Sequence, residues 1–388
     1  MKKIIIVNNN MSVGGVQKAL CNLLWAIHDR YDVTLYLFSR RGEYADDIPP
    51  DVKVMECRGP FRFLGISQGQ SRGADKLKRG VAVLLCRVFG RRFTLRLLMA
   101  GEKKAEGAYD CAIAYLQNGN CRHFYGGVQD FVLDKVNASR KIAFLHCDYG
   151  NCGADHPENN RLIGRFDRIA ACSDGCKEAF EKVLPHLTER TVTARNFHRY
   201  EQIHDLADQD PVVYDQSVRN VVMVSRLSHE KGIERAIRAV ARATEQNLPV
   251  ALHIVGGGPM KGFLEQTAVE QGVADRVIFY GEQANPYRYM KNADLFLMSS
   301  YHEAAPMVIE EAMCLNVPVL TVRTTSSNEM VTMRRGGWVC ENTSVELAQA
   351  LVRILSNPVA LENMRNSLYE SSPNNDVALE QLTKLIEG

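Results

Sequence analysis

The run Leu295-Phe-Leu-Met298-Ser-Ser-Tyr-His-Glu303-Ala-Ala-Pro306-Met307-Val308-Ile-Glu310-Glu311-Ala-Met313 changes character twice. Its first four residues are all apolar, too few for a helix and without polar alternation. That is the pattern of a strand buried on both faces of a parallel sheet. A polar loop follows, then a proline, which the first turn of a helix tolerates because an amide there would lack an intrahelical partner anyway. The pattern predicts a strand at 295–298 and a helix over 305–315. Glu303 would then stand in the loop at the strand's carboxyl end, and Glu311, eight residues later, two turns along the helix. Free backbone N–H groups at the helix start, around Pro306, Met307 and Val308, favour an anion such as a diphosphate. Two carboxylates flanking that start can accept hydrogen bonds from sugar or ribose hydroxyls. Spacing alone fits a solvated Glu303 and an ordinary amphipathic-helix Glu311 equally well.

The same strand, loop and helix unit recurs along the chain. Val222-Met-Val-Ser225-Arg226-Leu227-Ser-His-Glu230-Lys231-Gly232 reads as a strand whose following loop carries two cations at the usual ligand edge of such a sheet. Arginine there can grip a phosphate with two parallel N–H groups, although an ion pair with Glu230 or Glu234 is the plain structural alternative. Gly256-Gly257-Gly258-Pro259 follows a strand at 251–255 and predicts a close turn beneath a nucleotide. Near the N-terminus, Gly14-Gly15 separates a strand at 3–8 from a helix at 16–28, letting the backbone approach a ligand and tolerate positive φ. Neither glycine run is Gly-x-Gly-x-x-Gly, since Lys261 stands at the sixth position of the later one, so a dinucleotide fingerprint is absent.

Further strands are expected at 33–38, 111–116, 141–146 and 168–172, then at 220–224, 277–280 and 317–322, with helices at 233–245 and 260–271. Alternation of this kind defines an α/β chain built on parallel sheets. Its 388 residues suggest two domains at roughly 100–200 residues each. We place an N-terminal Rossmann-like domain at 1–197, with 372–388 packing back on it. A polar, acidic linker is expected at 198–218, holding Asp205, Asp208, Asp210 and Asp215, and a C-terminal Rossmann-like domain at 219–371.

With 46% hydrophobic and 24% charged residues the chain is an ordinary globular protein. A net charge of +2 gives no global field for nucleic acid. Its eleven cysteines include no Cys-x-x-Cys, and Cys172 and Cys176 lack a partner histidine pair, so neither zinc nor a disulfide framework is expected. Such thiols suit a reducing cytoplasm. The apolar stretch at the N-terminus is too short for a signal peptide, and no run approaches the roughly 18–20 residues that span a bilayer.

Taken in order, Gly14-Gly15, Ser225-Arg226-Leu227-Ser-His-Glu230-Lys231-Gly232, Gly256-Gly257-Gly258 and Glu303-x₇-Glu311 resemble the family 4 retaining glycosyltransferases of GT-B fold, over nearly the whole chain. The resemblance implies two Rossmann-like domains facing each other across a cleft, the N-terminal one binding acceptor and the C-terminal one binding nucleotide-sugar. It implies that Glu303 contacts the donor sugar, Glu311 the ribose, and that Arg226 and Lys231 hold and neutralise a diphosphate leaving group. His146, after a strand, would face the donor sugar, with Ser173 and Asn196 as small polar neighbours of the cleft. Gly14, Gly15, Gly257, Pro306, Met307 and Val308 would complete the donor site. The implied activity moves a hexose from a UDP-sugar, or second a GDP-sugar, to a lipid-linked or polysaccharide acceptor in bacterial capsule, exopolysaccharide or cell-wall synthesis. It needs no protein nucleophile, no cofactor beyond the nucleotide-sugar, and no metal. Asp208-Gln-Asp210 formally matches an Asp-x-Asp metal motif but lies in the expected linker. Two departures stand out: Ala304 replaces a usual glycine, and Cys314-Leu315-Asn316 replaces a glycine turn, where Asn can still take the left-handed cap.

Residues 58–104 hold twelve Lys or Arg against two acidic residues. Leu77, Val81, Leu84, Leu85 and Val88 share one helical face there, with Lys76, Arg79 and Arg87 outside it, and Gly90 divides this helix from a second at 93–99. With Arg91 and Arg92, these pieces suit an interfacial helix on an anionic membrane, the peripheral inner face of the cell membrane in a bacterium. A helix packed on the sheet with a solvated basic side is the alternative. Competing functions are a GT-B-fold sugar-nucleotide 2-epimerase and a non-catalytic nucleotide-binding partner. The basic segment lacks the interleaved aromatics of a nucleic-acid stacking platform, which disfavours that partner.

Overall fold

The computed structural model describes residues 1–66, 71–120 and 123–388. It divides into two compact units, Met1–His198 with Asn375–Gly388, and Arg199–Asn374.

In the first unit the strands are β1 (Lys3–Asn8), β2 (Asp32–Leu37), β3 (Lys53–Glu56), β4 (Tyr109–Ala114), β5 (Ala138–Leu145), β6 (Arg168–Ala171) and β7 (Thr191–Thr193). They form one parallel sheet in the order β3-β2-β1-β4-β5-β6-β7. The unbroken apolar run of β1 is explained by its two neighbouring cores. Ile4 and Ile6 enter one, Ile5 and Val7 the other, because successive side chains leave opposite faces of the sheet. The closing helix Asp376–Glu387 covers one of these faces through Ala378, Leu382, Leu385 and Ile386.

The second unit repeats the plan with β8 (Arg219–Val224), β9 (Val250–Val255), β10 (Val277–Gly281), β11 (Leu295–Met298), β12 (Val319–Val322) and β13 (Gly337–Cys340), ordered β10-β9-β8-β11-β12-β13 and parallel throughout. In β11, Leu295 and Leu297 enter one core while Phe296 and Met298 enter the other. Both sheets reverse strand order once, between β1 and β4 and between β8 and β11. Loops leaving those strand ends diverge, which opens a crevice at the carboxyl edge.

Three strands go beyond the sequence reading: β3, β7 and β13 are edge strands of three or four residues, too short to carry a period. The segment 198–218 also differs from the expected linker. It contains a helix, Tyr200–Asp208, whose Ile203 and Ala207 join a core of the second unit. Glu201, Asp205 and Asp208 lie on the exposed side of that helix, and Asp210 and Asp215 follow it in the exposed loop. Asp208 and Asp210 pair with Lys291 and Arg288, so this Asp-x-Asp is engaged in holding the helix–loop segment down. Among the described residues no helix is long and apolar enough to cross a membrane.

Candidate functional site

In the second unit three loops meet at the carboxyl edge of β8, β9 and β11. The β8 loop runs from Ser225 through a turn of 3₁₀ helix, His229–Lys231, to Gly232, which opens the helix Ile233–Glu245. Gly232 has φ +58, and a Cβ there would lie 2.4 Å from the Ser299 carbonyl oxygen after β11. Only glycine combines that left-handed backbone with so close an approach. The Ser299 hydroxyl donates to the Gly232 carbonyl at 2.8 Å and reaches the Lys231 carbonyl at 3.1 Å, so the two loops are laced together.

Arg235, buried one turn into the following helix, fixes the same junction. Its Nη1 donates to the Ser299 carbonyl at 3.2 Å and to Asn342 Oδ1 at 2.7 Å, and its guanidinium lies 4.7 Å over the Tyr301 ring. Tyr301 in turn donates from its backbone N–H to the Glu230 carbonyl at 2.9 Å and from its hydroxyl to Glu234 at 2.7 Å. The β9 loop packs from the other side. Cβ atoms at Gly256 and Gly258 would sit 1.9 Å from the Ser225 carbonyl and 2.4 Å from the Leu227 carbonyl. Gly257, named from the sequence, meets only ordinary space near Glu282; its carbonyl accepts from Leu227 N–H at 2.8 Å.

On this frame Lys231 Nζ meets Glu303 Oε1 at 2.5 Å, and the Ser300 hydroxyl donates to the same carboxylate oxygen at 2.9 Å. The two side chains are 21% and 15% exposed, so Glu303 is held, in contrast to a freely solvated loop residue. Arg226 is 69% exposed and pairs with Glu230 at 3.0 Å, an exposed cation at the same edge. The helix after the β11 loop is Met307–Cys314, with Pro306 at its N-cap, so Met307 and Val308 contribute its first amides. Glu311 is 1% exposed within this helix. Its neighbour Glu310 is structural, bridged to Arg334 at 2.5 Å and reached by the Tyr200 hydroxyl at 3.3 Å. Asn316 takes φ +59 and ends the helix in a Schellman turn, with Val317 N–H bonded to the Ala312 carbonyl. Ala304 is not at positive φ, so alanine in place of glycine is unstrained.

In the first unit the edge of β1 carries Asn8, Asn9 and Asn10, then Gly14 and Gly15. Gly14 is extended and Gly15 opens the helix Gly15–Ile27, so neither takes the left-handed conformation allowed for. A Cβ at Gly15 would meet nothing within 4 Å, which leaves open space beside exposed backbone at a helix start. His146 follows β5, with its backbone N–H bonded to Gln117 Oε1 at 3.0 Å after β4 and its ring 4.5 Å from that of Tyr115. Burial pushes its pKa down to about 4, so the imidazole is neutral at physiological pH. Ser173 caps the helix Asp174–Val183 by accepting from Cys176 N–H at 3.1 Å, and Asn196 is half-buried.

Sequence reasoning missed Ser300, Arg235 and Gln117. Two of these, Ser300 and Gln117, are polar residues close behind a buried strand, a signal that could have found them. Arg235 gave none, since a buried arginine looks like any helix-surface arginine in sequence.

The basic segment folds as helices Gly73–Phe89 and Arg91–Ala100, parted by Gly90 at φ +81. Leu77, Val81, Leu84 and Val88 are 73%, 52%, 61% and 63% exposed, and Phe89, Phe93 and Leu97 extend the stripe. Lys76, Arg87 and Arg92 are exposed beside it. Arg79 instead donates to the Ile66 carbonyl at 2.9 Å and lies over Phe124. Arg91 departs from the surface role expected of it. It is 4% exposed and bonded to Asn159, because the helix start turns it into the protein.

Two parallel-sheet Rossmann-like domains in one chain are the GT-B fold. Residues 210–374 match the family Glycosyl transferases group 1. An uncharacterized glycosyltransferase of Methanocaldococcus jannaschii is 28% identical over 255 residues, 60% of this chain and 65% of that protein. The GDP-mannose-dependent alpha-(1-6)-phosphatidylinositol monomannoside mannosyltransferase of Mycolicibacterium smegmatis is 32% identical over 150 residues, 36% of this chain and 39% of that one. The matches thus span less than two thirds of these curated relatives. In structure, Anabaena HepE in complex with UDP superposes over 100% of this chain and 98% of its own, with TM-score 0.66 and 18% identity.

Proposed function

We propose that the chain is a retaining glycosyltransferase that moves a hexose from a UDP-sugar, with a GDP-sugar as second choice, to a lipid-linked or glycan acceptor without a metal. The observation that carries this reading is the pair Lys231–Glu303, set on adjacent strand ends at the strand-order reversal of the group 1 domain. A cation and a carboxylate held 2.5 Å apart there suit a ligand that is anionic at one end and hydroxylated at the other. Lys231 and Arg226 would face the diphosphate, aided by the amides of Met307 and Val308, while Glu303 would accept from sugar hydroxyls and Glu311 from the ribose. In the reaction the bond from the sugar C1 to the phosphate oxygen breaks and the acceptor oxygen bonds C1 on the same face. The acceptor proton leaves with the departing phosphate. The residues' contribution is positioning and stabilisation of the charge that grows on that phosphate. His146, neutral, is assigned to the donor sugar, and Gly14 and Gly15 to close approach of ligand to backbone. UDP in the HepE complex supports uridine, and the mycobacterial relative's GDP-mannose supports guanosine as the alternative.

The exposed apolar stripe flanked by Lys76, Arg87 and Arg92 supports seating of the enzyme on an anionic membrane, where a lipid-linked acceptor would lie. The reading is tested by incubating the protein with UDP- and GDP-hexoses and a bacterial lipid extract. Release of nucleoside diphosphate with the hexose on an α-linked lipid product is expected. A sugar returned as its 2-epimer without transfer would establish the epimerase instead.

A further inference from the structure

The two basic helices bury few of their own side chains. Helix Gly73–Phe89 buries Ala82 and Cys86, and helix Arg91–Ala100 buries Arg91, Thr94, Leu95 and Met99. Leu95 and Met99 join a core of the first unit, as the inner face of any amphipathic helix does. Arg91 has a different partner. From the bend at Gly90 it reaches inward, and its Nη2 donates to Asn159 Oδ1 in the helix Pro157–Ile163. Asn159 is 1% exposed, and its Nδ2 donates to the Gly119 carbonyl at 3.1 Å and the Ala154 carbonyl at 2.8 Å. Gly119 belongs to the loop after β4 and Ala154 to the loop after β5, both at the carboxyl edge of the sheet. With its two amide N–H groups committed to carbonyls, Asn159 turns its oxygen to Arg91, and a flipped amide would lose all three bonds. Arg91 also stands beside Asn118 on the β4 loop. A Cβ at Gly126, φ +91, would lie 2.3 Å from Asn118 Oδ1 and 3.3 Å from Arg91 Nη1, so glycine leaves room for the two side chains. Asn118 Oδ1 accepts from Gly127 N–H at 2.9 Å, and the preceding residue, Gln117, holds the backbone of His146. One buried cation at the bend of the exposed helices thus braces both loops that meet at His146.

We propose that Arg91 and Asn159 are positioning residues through which an anionic lipid surface orders the ligand edge of the first unit. The occupant of the exposed helices follows from their chemistry. Lys76, Arg87 and Arg92 suit anionic headgroups, while Leu84 and Phe93 suit the acyl boundary beneath them. A segment with so few buried side chains opens locally at low cost, and lipid binding opposes that opening. A ligand that favours the ordered helices also favours what those helices hold in place, so the β4 and β5 loops share the stabilisation. The inference rests on the membrane reading of the stripe. Its bearing on sugar transfer rests further on the role assigned to His146, but its test reads backbone amides and needs no substrate.

Amide hydrogen exchange is followed in the full-length protein alone, with phosphatidylcholine vesicles, and with vesicles that also contain phosphatidylglycerol. Flotation is measured in parallel. The anionic vesicles should float the wild type and slow exchange in 73–100. They should also slow it in 117–120 and 146–154 by about fivefold or more, the lower end of ordinary coupling between sites. Because Arg91 is buried, Arg91→Gln should still float and protect 73–100, while the two loops exchange as they do without lipid. Leu84→Glu, on the surface, should lose flotation and both protections. A wild type that floats and protects 73–100 but leaves both loops unchanged overturns the inference and spares the membrane reading; that comparison needs no variant to fold. Loop protection undiminished in Arg91→Gln overturns the route through Arg91. A wild type that does not float overturns the membrane reading and the inference with it.

Discussion

Lys231 and Glu303 arrive from different strands and neutralise each other before any ligand is bound. A nucleotide's phosphates must therefore compete with Glu303 for the ammonium group. Replacing Glu303 by Gln keeps its hydrogen-bonding shape but removes the competing charge. A partly exposed pair of this kind is worth up to about 1 kcal/mol, so Glu303→Gln should tighten nucleoside diphosphate binding by up to about fivefold in calorimetry, yet slow transfer. Weaker binding in that variant would mean the carboxylate does not oppose the phosphates. One histidine makes a separate prediction. His253 is enclosed between Tyr280 Oη and Asn220 Oδ1, at 3.0 and 3.1 Å, and burial pushes its pKa down to about 4. The unfolded chain, with His near 6.5, takes up the proton first as pH falls. This contribution to stability is therefore complete above about pH 6.5 and lost between there and about 4. Measured as Tm against pH, His253→Gln should flatten the decline across that window; an unchanged slope would show that His253 protonates normally in the fold. At this scale the Glu-x₇-Glu spacing and the Arg226/Lys231 loop were legible because charge type and interval are written in the chain. The burial of Arg91 and the lock made by Arg235 were not, since both depend on which way a helix is turned by its neighbours.

Elements were legible where both faces of a strand are buried. β1, β8 and β11 have apolar runs because each feeds two cores, and a run bounded by polar loops cannot be read otherwise. Edge strands β3, β7 and β13 have one neighbour and three or four residues, so no period develops. The helix Tyr200–Asp208 was obscured for a different reason. Its buried side is only Ile203 and Ala207, and the acidic residues around them read as a linker. The loop junctions are the part of the site most dependent on backbone. Gly232→Ala must place a side chain at positive φ against the Ser299 carbonyl, which costs about 1–3 kcal/mol in strain alone. Thermal unfolding of the variant should show at least this loss. Wild-type stability would mean the Gly232–Ser299 contact is not made.

Across the whole molecule, two sheets of the same strand logic each present a reversal point at their carboxyl edge, and the conspicuous polar loops cluster there in both. That much follows from the alternating pattern and the right-handed crossovers it imposes. The membrane-facing proposal belongs to this scale as well. Seven large apolar side chains between Leu77 and Leu97 are at least half exposed beside basic neighbours, a surface a monomer rarely leaves open. Phe93→Glu or Leu84→Glu should reduce co-flotation with vesicles containing phosphatidylglycerol while leaving Tm near wild type. Undiminished flotation would place the contact elsewhere.

The central claim is that the β8–β11 edge of the group 1 domain binds a nucleoside diphosphate through Lys231 and Arg226. Its most direct test is thermal unfolding of wild type, Lys231→Ala and Arg226→Ala with UDP, GDP, ADP and NAD. A ligand present at about 100 times its Kd stabilises the fold by about 2.7 kcal/mol, which is readily seen. UDP, or failing that GDP, should raise the Tm of wild type and lose that effect in both variants. A shift with NAD alone, or an equal nucleotide shift in all three proteins, would contradict the assignment.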